Sequence, residues 1–237
     1  MMIQLAKWDT DHFGFKVGHL LWQGEVDMTR MKEMVSEAQK KGYQLLYLKG
    51  VTLPKEELDE RFFLADRRAM YELKTTRMKT APDDTHVKSM LHHELTKELL
   101  ELAWESGVYS RYNKDERFPK EAFRLLYRIW MENSLNGTMA TDVLAYVENG
   151  VPVGIITYRM DEDAVVIGLV AVNGKMANRG IGTRLMQAFL SSFDKGTCVR
   201  VATQMDNLGA CHFYEKNGFV LKEETPIYHI WTTKEAK

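Results

Sequence analysis

Residues 164–183 read AVVIGLVAVNGKMANRGIGT. The apolar run AVVIGLVAV (164–172) has the length and β-branched content of a buried strand. A glycine-bearing turn follows it. Leu185, Met186, Phe189 and Phe193 then fall at the spacing of one helical face. The segment is therefore strand, tight loop, helix. Gly180 and Gly182 stand two apart where the helix opens, so main chain can approach a ligand closely and aim several N–H groups at one point. A helix N-terminus adds unpaired donors and partial positive charge. Such a junction suits a pyrophosphate, and Arg179 can add a charge-assisted hydrogen bond. The same glycines would also serve a tight turn that binds nothing, and the motif alone leaves both readings open. A dinucleotide-binding fingerprint fits poorly, because it needs three glycines in an early βαβ unit and an acidic residue on the next strand.

Upstream, residues 143–148 (VLAYVE) and 151–159 (VPVGIITYR) flank Asn149–Gly150, a strong hairpin signal. Downstream come a strand at 198–204, a helix at 208–217, a strand at 219–224 and a last strand at 227–233 after Pro226. An antiparallel meander thus meets a late parallel crossover, an α+β arrangement. Residues 92–105 read as a helix. So does the run opened by Pro119, with Phe123, Tyr127, Trp130 and Met131 on one face; residues 107–118 between them read as a loop. The first eighty residues read as a small α/β unit. Its strands fall at 17–22, 43–48 and 70–79, and Asp27 caps a helix with Met31, Met34, Val35 and Ala38 inward. The polar stretch TAPDDT (80–85) marks a boundary between 1–85 and 86–237.

Composition excludes several function classes. A net charge of −1 over 237 residues argues against nucleic-acid binding driven by phosphate neutralisation. Cys198 and Cys211 lie far from any zinc spacing and the histidines form no ligand pattern, so no metal is expected and a reducing, cytoplasmic setting is. No apolar stretch approaches the roughly 18 residues of a membrane span, and the first residues do not read as a secretory signal.

The succession IGLVAV, ANRGIGTRLM, VRVATQ, Asn207 and ACHFYEKNGF resembles the GNAT acetyltransferase superfamily, over roughly residues 86–237. The resemblance implies a GNAT fold: a mixed, mostly antiparallel sheet with flanking helices. It implies acetyl-CoA as cosubstrate, held by Leu169, Val170, Ala171 and Val172 along the strand, by Ala177, Asn178, Arg179, Gly180, Ile181, Gly182 and Thr183 around the loop, and by Asn207, which also suits a helix N-cap. The strand is expected to splay from its partner at a bulge, so that a free N–H near Leu169 to Val172 faces the thioester oxygen. Ala177 departs from the usual Arg or Gln, which removes a side-chain contact and leaves the main-chain grip. Tyr214, two helical turns after Asn207, is the implied general acid. A phenol is a weaker acid than a thiol by about 2 kcal/mol at reference values, so hydrogen bonding with late proton transfer is expected rather than a freely given proton.

The segments WDTDHFG (8–14), YSRY…F (109–118), YRIWMENSLNG (127–137), IGLVAV (167–172) and VATQMDN (201–207) are similar to the TDP-fucosamine acetyltransferases. Those enzymes acetylate the 4-amino group of a dTDP-linked 4-amino-4,6-dideoxy sugar for cell-surface glycans, and they carry a small N-terminal domain beside the GNAT domain. This implies that residues 1–85 serve the acceptor side. The candidate acceptor residues are Tyr109, Ser110 and Arg111, with Glu132 and Asn133 on the facing helix; an Arg fork suits a diphosphate. Homodimers are common in such folds. Two other functions fit the same motifs: acetyl transfer to another small amine or a peptide N-terminus, and acyl-CoA binding without catalysis.

Overall fold

The computed structural model describes residues 2–76 and 84–233. In chain order the elements are β1 (Met2–Leu5), α1 (Lys7–Phe13), β2 (Val17–Leu21), α2 (Met28–Lys40), β3 (Leu45–Lys49), β4 (Phe62–Lys74), β5 (Val87–Ser89), α3 (Lys97–Ser106), α4 (Arg111–Lys114), α5 (Lys120–Leu135), β6 (Asp142–Glu148), β7 (Val151–Met160), β8 (Val165–Val172), α6 (Ile181–Ser191), β9 (Cys198–Gln204), α7 (Leu208–Lys216) and β10 (Val220–Trp231). The strands form one ten-stranded sheet in the order β1-β2-β3-β10-β4-β9-β8-β7-β6-β5. Among the described residues only β2–β3 and β8–β9 run parallel. This is the expected α+β GNAT architecture, a mostly antiparallel sheet with helices on it.

Local chemistry accounts for most boundaries. Asp27 caps α2 by accepting the Arg30 N–H at 3.0 Å, and Met31, Val35 and Ala38 bury its inner face. Asn149 and Gly150 both take positive φ, 51° and 81°, the geometry of a two-residue hairpin turn between β6 and β7. Along β3 the side chains alternate: Leu45 and Tyr47 join the core beneath α3 and α5, while Leu46 and Leu48 join the core beneath α2. A third core packs α6 and α7 on the sheet through Leu185, Phe189 and Tyr214.

Several expectations need correction. The helix expected over 92–105 begins only at Lys97, where Thr96 caps it by accepting the Leu99 N–H at 3.3 Å. The loop expected over 107–118 contains the single turn α4. The two strands expected at 219–224 and 227–233 are one, β10, with Pro226 inside it. In an antiparallel ladder a residue's N–H and C=O point at the same neighbour. The Pro226 carbonyl accepts the Gly50 N–H at 3.0 Å, so its missing donor faces the point where β3 ends and no ladder bond is lost. The strand expected at 70–79 begins at Phe62; its residues 77–79, and residues 80–83 of the expected linker, lie outside the described residues. β10 lies between β3 and β4, so strands from both sides of residue 85 share the sheet.

Candidate active site

The parallel strands β8 and β9 pair only from Val165–Val199 to Ile167–Val201. Just beyond, Gly168 and Leu169 stand opposite the single residue Thr157 of β7, a bulge that bends β8 away. The Thr157 hydroxyl accepts the Leu169 N–H at 2.8 Å. It lies 2.7 Å from where a Cβ on residue 168 would stand, so only glycine fits there. Leu169, the first residue of the stretch expected to carry a free N–H, therefore has no free amide to offer. Asn173 donates its N–H to the Val153 carbonyl at 2.9 Å, which sets the alternation along β8. Ala171 bonds toward β7, and the main-chain groups of Val170 and Val172 point the other way, toward the splayed gap beside β9.

The loop after β8 turns through Asn178 (φ 63°) and Gly180 (φ 77°). Gly180 is the N-cap of α6 and supplies no side-chain cap, so the first N–H groups of the helix, from Ile181, Gly182 and Thr183, have no side-chain acceptor there. The two glycines do different work. Gly180 has open space around its Cβ position and is required by its left-handed backbone. A Cβ on Gly182 would stand 3.2 Å from the Phe213 ring and 3.5 Å from Val172, so this glycine lets α6 close onto α7 and β8. Ala177 ends the short turn before the loop. Ile181 is buried in the core, and Thr183 turns to the groove between α6 and residues 216–218. Arg179 reaches Glu148 Oε2 at 3.2 Å and is about half exposed; such exposed pairs exchange readily.

Asn207 caps α7, its Oδ1 accepting the Ala210 N–H at 3.1 Å. Two turns on, Tyr214 packs its ring 5.4 Å from Phe213, 5.7 Å from Phe219 and 5.9 Å from Tyr71. Its hydroxyl makes no hydrogen bond among the described residues. Burial pushes this phenol well above its ordinary range, so it keeps its proton.

Tyr214, Asn207 and Val170 line one cavity of about 420 Å³ together with Ser110 and Arg111 from α4, Lys49 from β3, and Asp66 and Arg68 from β4. Asp66 is only 6% exposed, and its buried Oδ1 has no partner. Burial raises its carboxyl to about 6, against the pull of Arg111, Lys114 and Arg68. The Arg111 guanidinium lies between the rings of Tyr47 and Tyr112, 4.0 and 4.5 Å from their centroids, and leaves Nη1 buried without a partner. Tyr47 and Tyr112 both donate to Asp9 Oδ1, at 3.0 and 3.3 Å. The end of α4 is tied to β10 through Asp115. This carboxylate accepts from Arg117 Nε at 2.8 Å and Trp231 Nε1 at 2.9 Å, and it contacts His229 Nδ1 at 2.7 Å. These partners outweigh burial and hold it well below the usual carboxylate range, while burial lowers His229 to about 4 and keeps it neutral.

The remaining sequence candidates divide. Ser110 and Arg111 line the cavity; Tyr109 beside them is 48% exposed and does not. Glu132 pairs with Arg128 at 2.9 Å and borders a separate hollow near His92 and His93. The Asn133 carbonyl accepts the Met139 N–H at 2.9 Å, and the residue is absent from the cavity wall. Sequence reasoning missed Lys49, Asp66, Arg68 and Thr157. The run FFLADRRAM (62–70), three charges inside an apolar strand, was the available signal. Among the described residues no group of three or more His, Cys, Asp or Glu could hold a metal, and no helix is long and apolar enough to cross a membrane.

The chain is 31% identical over 144 residues, 60% of its length and 50% of the relative's, to the "Spore coat polysaccharide biosynthesis protein SpsD" of Bacillus subtilis (strain 168). It is 36% identical over 75 residues to the uncharacterized protein YdhI of the same organism, 45% of that protein's length. The matches thus span half, or slightly less, of these relatives. Its fold is similar to that of a functionally unknown conserved protein from Staphylococcus epidermidis, with a TM-score of 0.62, 15% identity and coverage of 92% of this chain and 84% of that one. A GCN5-related N-acetyltransferase from Kribbella flavida matches at a TM-score of 0.52 and 13% identity, over 91% of this chain and 81% of that one. Residues 96–219, just over half the chain and the part that holds β8, the glycine loop, α6 and Tyr214, match the profile of the Acetyltransferase (GNAT) family, and the chain belongs to that family.

Proposed function

We propose that the chain is an acetyl-CoA-dependent N-acetyltransferase whose acceptor is the amine of a nucleotide-linked amino sugar, of the dTDP-4-amino-4,6-dideoxyhexose kind. One observation carries the reading. An open strand edge at Val170, an unbonded phenol at Tyr214 and an unpartnered buried carboxyl at Asp66 converge on one cavity. Acyl transfer to an amine needs these parts: a donor to the thioester oxygen, a proton source for the thiolate, and a base for the ammonium. The relative named for polysaccharide biosynthesis supports a sugar acceptor. The uncapped start of α6 suits the pyrophosphate of acetyl-CoA, and the outward main-chain groups of Val170 and Val172 suit strand-like pairing with its pantetheine arm.

The acceptor enters as an ammonium, which the Asp66 carboxylate attracts and deprotonates. A carboxyl raised to about 6 lies closer to an amine's range than an ordinary one does, so this transfer is less uphill. The amine nitrogen attacks the thioester carbonyl and the C–N bond forms while the Val170 N–H stabilises the oxygen. The C–S bond then breaks. The Tyr214 hydroxyl hydrogen-bonds the departing thiolate and passes its proton late, regaining one from the nitrogen of the new amide. The products are the N-acetyl sugar, coenzyme A thiol and one proton on Asp66, which leaves to water. Residues 1–85 supply Lys49, Asp66 and Arg68, and on this reading they form the acceptor side. Both cysteines are free, in keeping with a reducing, cytoplasmic setting.

Coenzyme A release tests the reading. With a dTDP-4-amino-4,6-dideoxyhexose, kcat/KM should exceed that for simple primary amines by about 100-fold or more. Equal values would overturn the sugar acceptor, and no release with any amine would overturn acetyl transfer.

A further inference from the structure

The acceptor wall carries a charge pattern that acetyl transfer alone does not require. Lys49 pairs with Ile227, and Ile227 pairs with Asp66, so these three form one row across β3, β10 and β4. Residues in such a row project from the same face. Arg68 stands two residues along β4 from Asp66, about 7 Å on, and lines the same cavity. Among the described residues the side chains of Lys49, Asp66 and Arg68 have no ion-pair or hydrogen-bond partner. The intervening Arg67, by contrast, is neutralised by Asp206 at 3.2 Å and Glu224 at 3.3 Å. Burial, together with the cations of Arg111 and Arg68, lowers the proton affinity of Lys49. The cavity therefore holds three cations that crowd one another and a single acid, and the buried Nη1 of Arg111 has no acceptor.

Exposure is graded along this wall: Lys49 is exposed, Arg68 half-buried and Asp66 buried. Unpaired positive charge thus sits at the lip and a bare carboxylate sits at the floor of the cavity that Tyr214 also lines. A ligand complementary to both is bipolar, with its amine inward and its anion outward. The step from Asp66 to Arg68 is comparable with the width of one hexose ring. Two separate cations, one a bidentate fork and one a point charge, suit the two phosphates of a diphosphate better than they suit a single carboxylate.

We propose that Lys49 and Arg68 form the diphosphate-binding lip of the acceptor site and aim the amine of the nucleotide-linked sugar at Asp66. This rests on the acetyl-transfer reading above and assigns the acceptor's anchoring to residues outside the matched family segment.

The test is titration of dTDP into the protein and into Lys49→Gln, Arg68→Gln, Arg68→Lys and the control Arg67→Gln, with the KM for acetyl-CoA measured in parallel. Each neutral lip variant should weaken dTDP binding by about tenfold or more and flatten its dependence on salt, with the acetyl-CoA KM within about twofold of the parent. Arg68→Lys should restore part of the affinity, which separates a lost charge from a damaged fold, and Arg67→Gln should bind like the parent. If Lys49→Gln and Arg68→Gln bound dTDP as the parent does, the lip would be wrong while acetyl transfer stood. A parent protein that acetylates simple amines but does not bind dTDP would also overturn the lip. Weakened dTDP binding in the variants without turnover of any amine would support the lip and sink the acetyl-transfer reading instead.

Discussion

On one side of the cavity, β8, the glycine loop and the starts of α6 and α7 offer main chain: the outward groups of Val170 and Val172 and the uncapped turn after Gly180. On the other side, β3, β4 and α4 offer charged side chains: Lys49, Asp66, Arg68 and Arg111. Main-chain groups are the same in every sequence that keeps the backbone, so the first side suits a cosubstrate common to a whole family. Side chains can change without changing the backbone, so the second side is where acceptor choice can be written. The difference teaches where each kind of mutation should act.

The largest effects should come from the two groups that move protons. Tyr214→Phe and Asp66→Asn should each lower kcat/KM by about 100-fold or more in a coenzyme A release assay. Asp66 should also govern the acid limb of the pH profile. In the parent, kcat/KM should fall tenfold per pH unit below about 6. Asp66 is at the same time a stability liability near neutrality. Its folded pKa lies above its unfolded one, so its stabilising contribution is complete below the unfolded value near 3.8 and is lost as pH rises through about 6. Asp66→Asn should therefore raise Tm at pH 7.5 even as it lowers turnover, by about 2–4 °C for each kcal/mol recovered. A variant both inactive and less stable at that pH would break this account of the acceptor side.

Gly180→Ala sharpens the main-chain side. No atom obstructs a Cβ there, so its cost is wholly that of a left-handed alanine, about 1–2 kcal/mol. The KM for acetyl-CoA should rise by roughly tenfold, with the dTDP affinity unchanged. Equal loss of both ligands would erase the distinction between the two sides. The smallest effect should be that of Glu132→Gln. This residue pairs with Arg128 on the outer face of α5, away from the cavity, so the acceptor KM should stay within about twofold and stability within about 0.5 kcal/mol.

The same contrast explains what could be read in advance. The strand–loop–helix at 164–183, the Asn149–Gly150 hairpin and the Asn207–Tyr214 spacing are local patterns, and the sheet reproduces them in order. The acceptor wall comes from residues as distant as Lys49, Asp66, Arg111 and Tyr214. Nothing local ties these four together; the passage of β10 between β3 and β4 aligns Lys49 with Asp66, and α4 and α7 bring Arg111 and Tyr214 from elsewhere in the chain. Arg111 was legible as a candidate, but its setting between two tyrosines was not. Glu132 and Asn133 share the helical run that carries the resemblance, yet helix rotation puts them outside the cavity. A free N–H was expected somewhere from Leu169 to Val172, and no sequence signal announced that Thr157, a strand residue of β7, would occupy that of Leu169.

The most direct measurement is a crystal structure with coenzyme A bound. The account predicts the pyrophosphate on the main chain at residues 180–183, the pantetheine alongside Val170 and Val172, and the sulfur within hydrogen-bond reach of the Tyr214 hydroxyl. Coenzyme A seated elsewhere, or a sulfur that points away from both Tyr214 and Asp66, would contradict it.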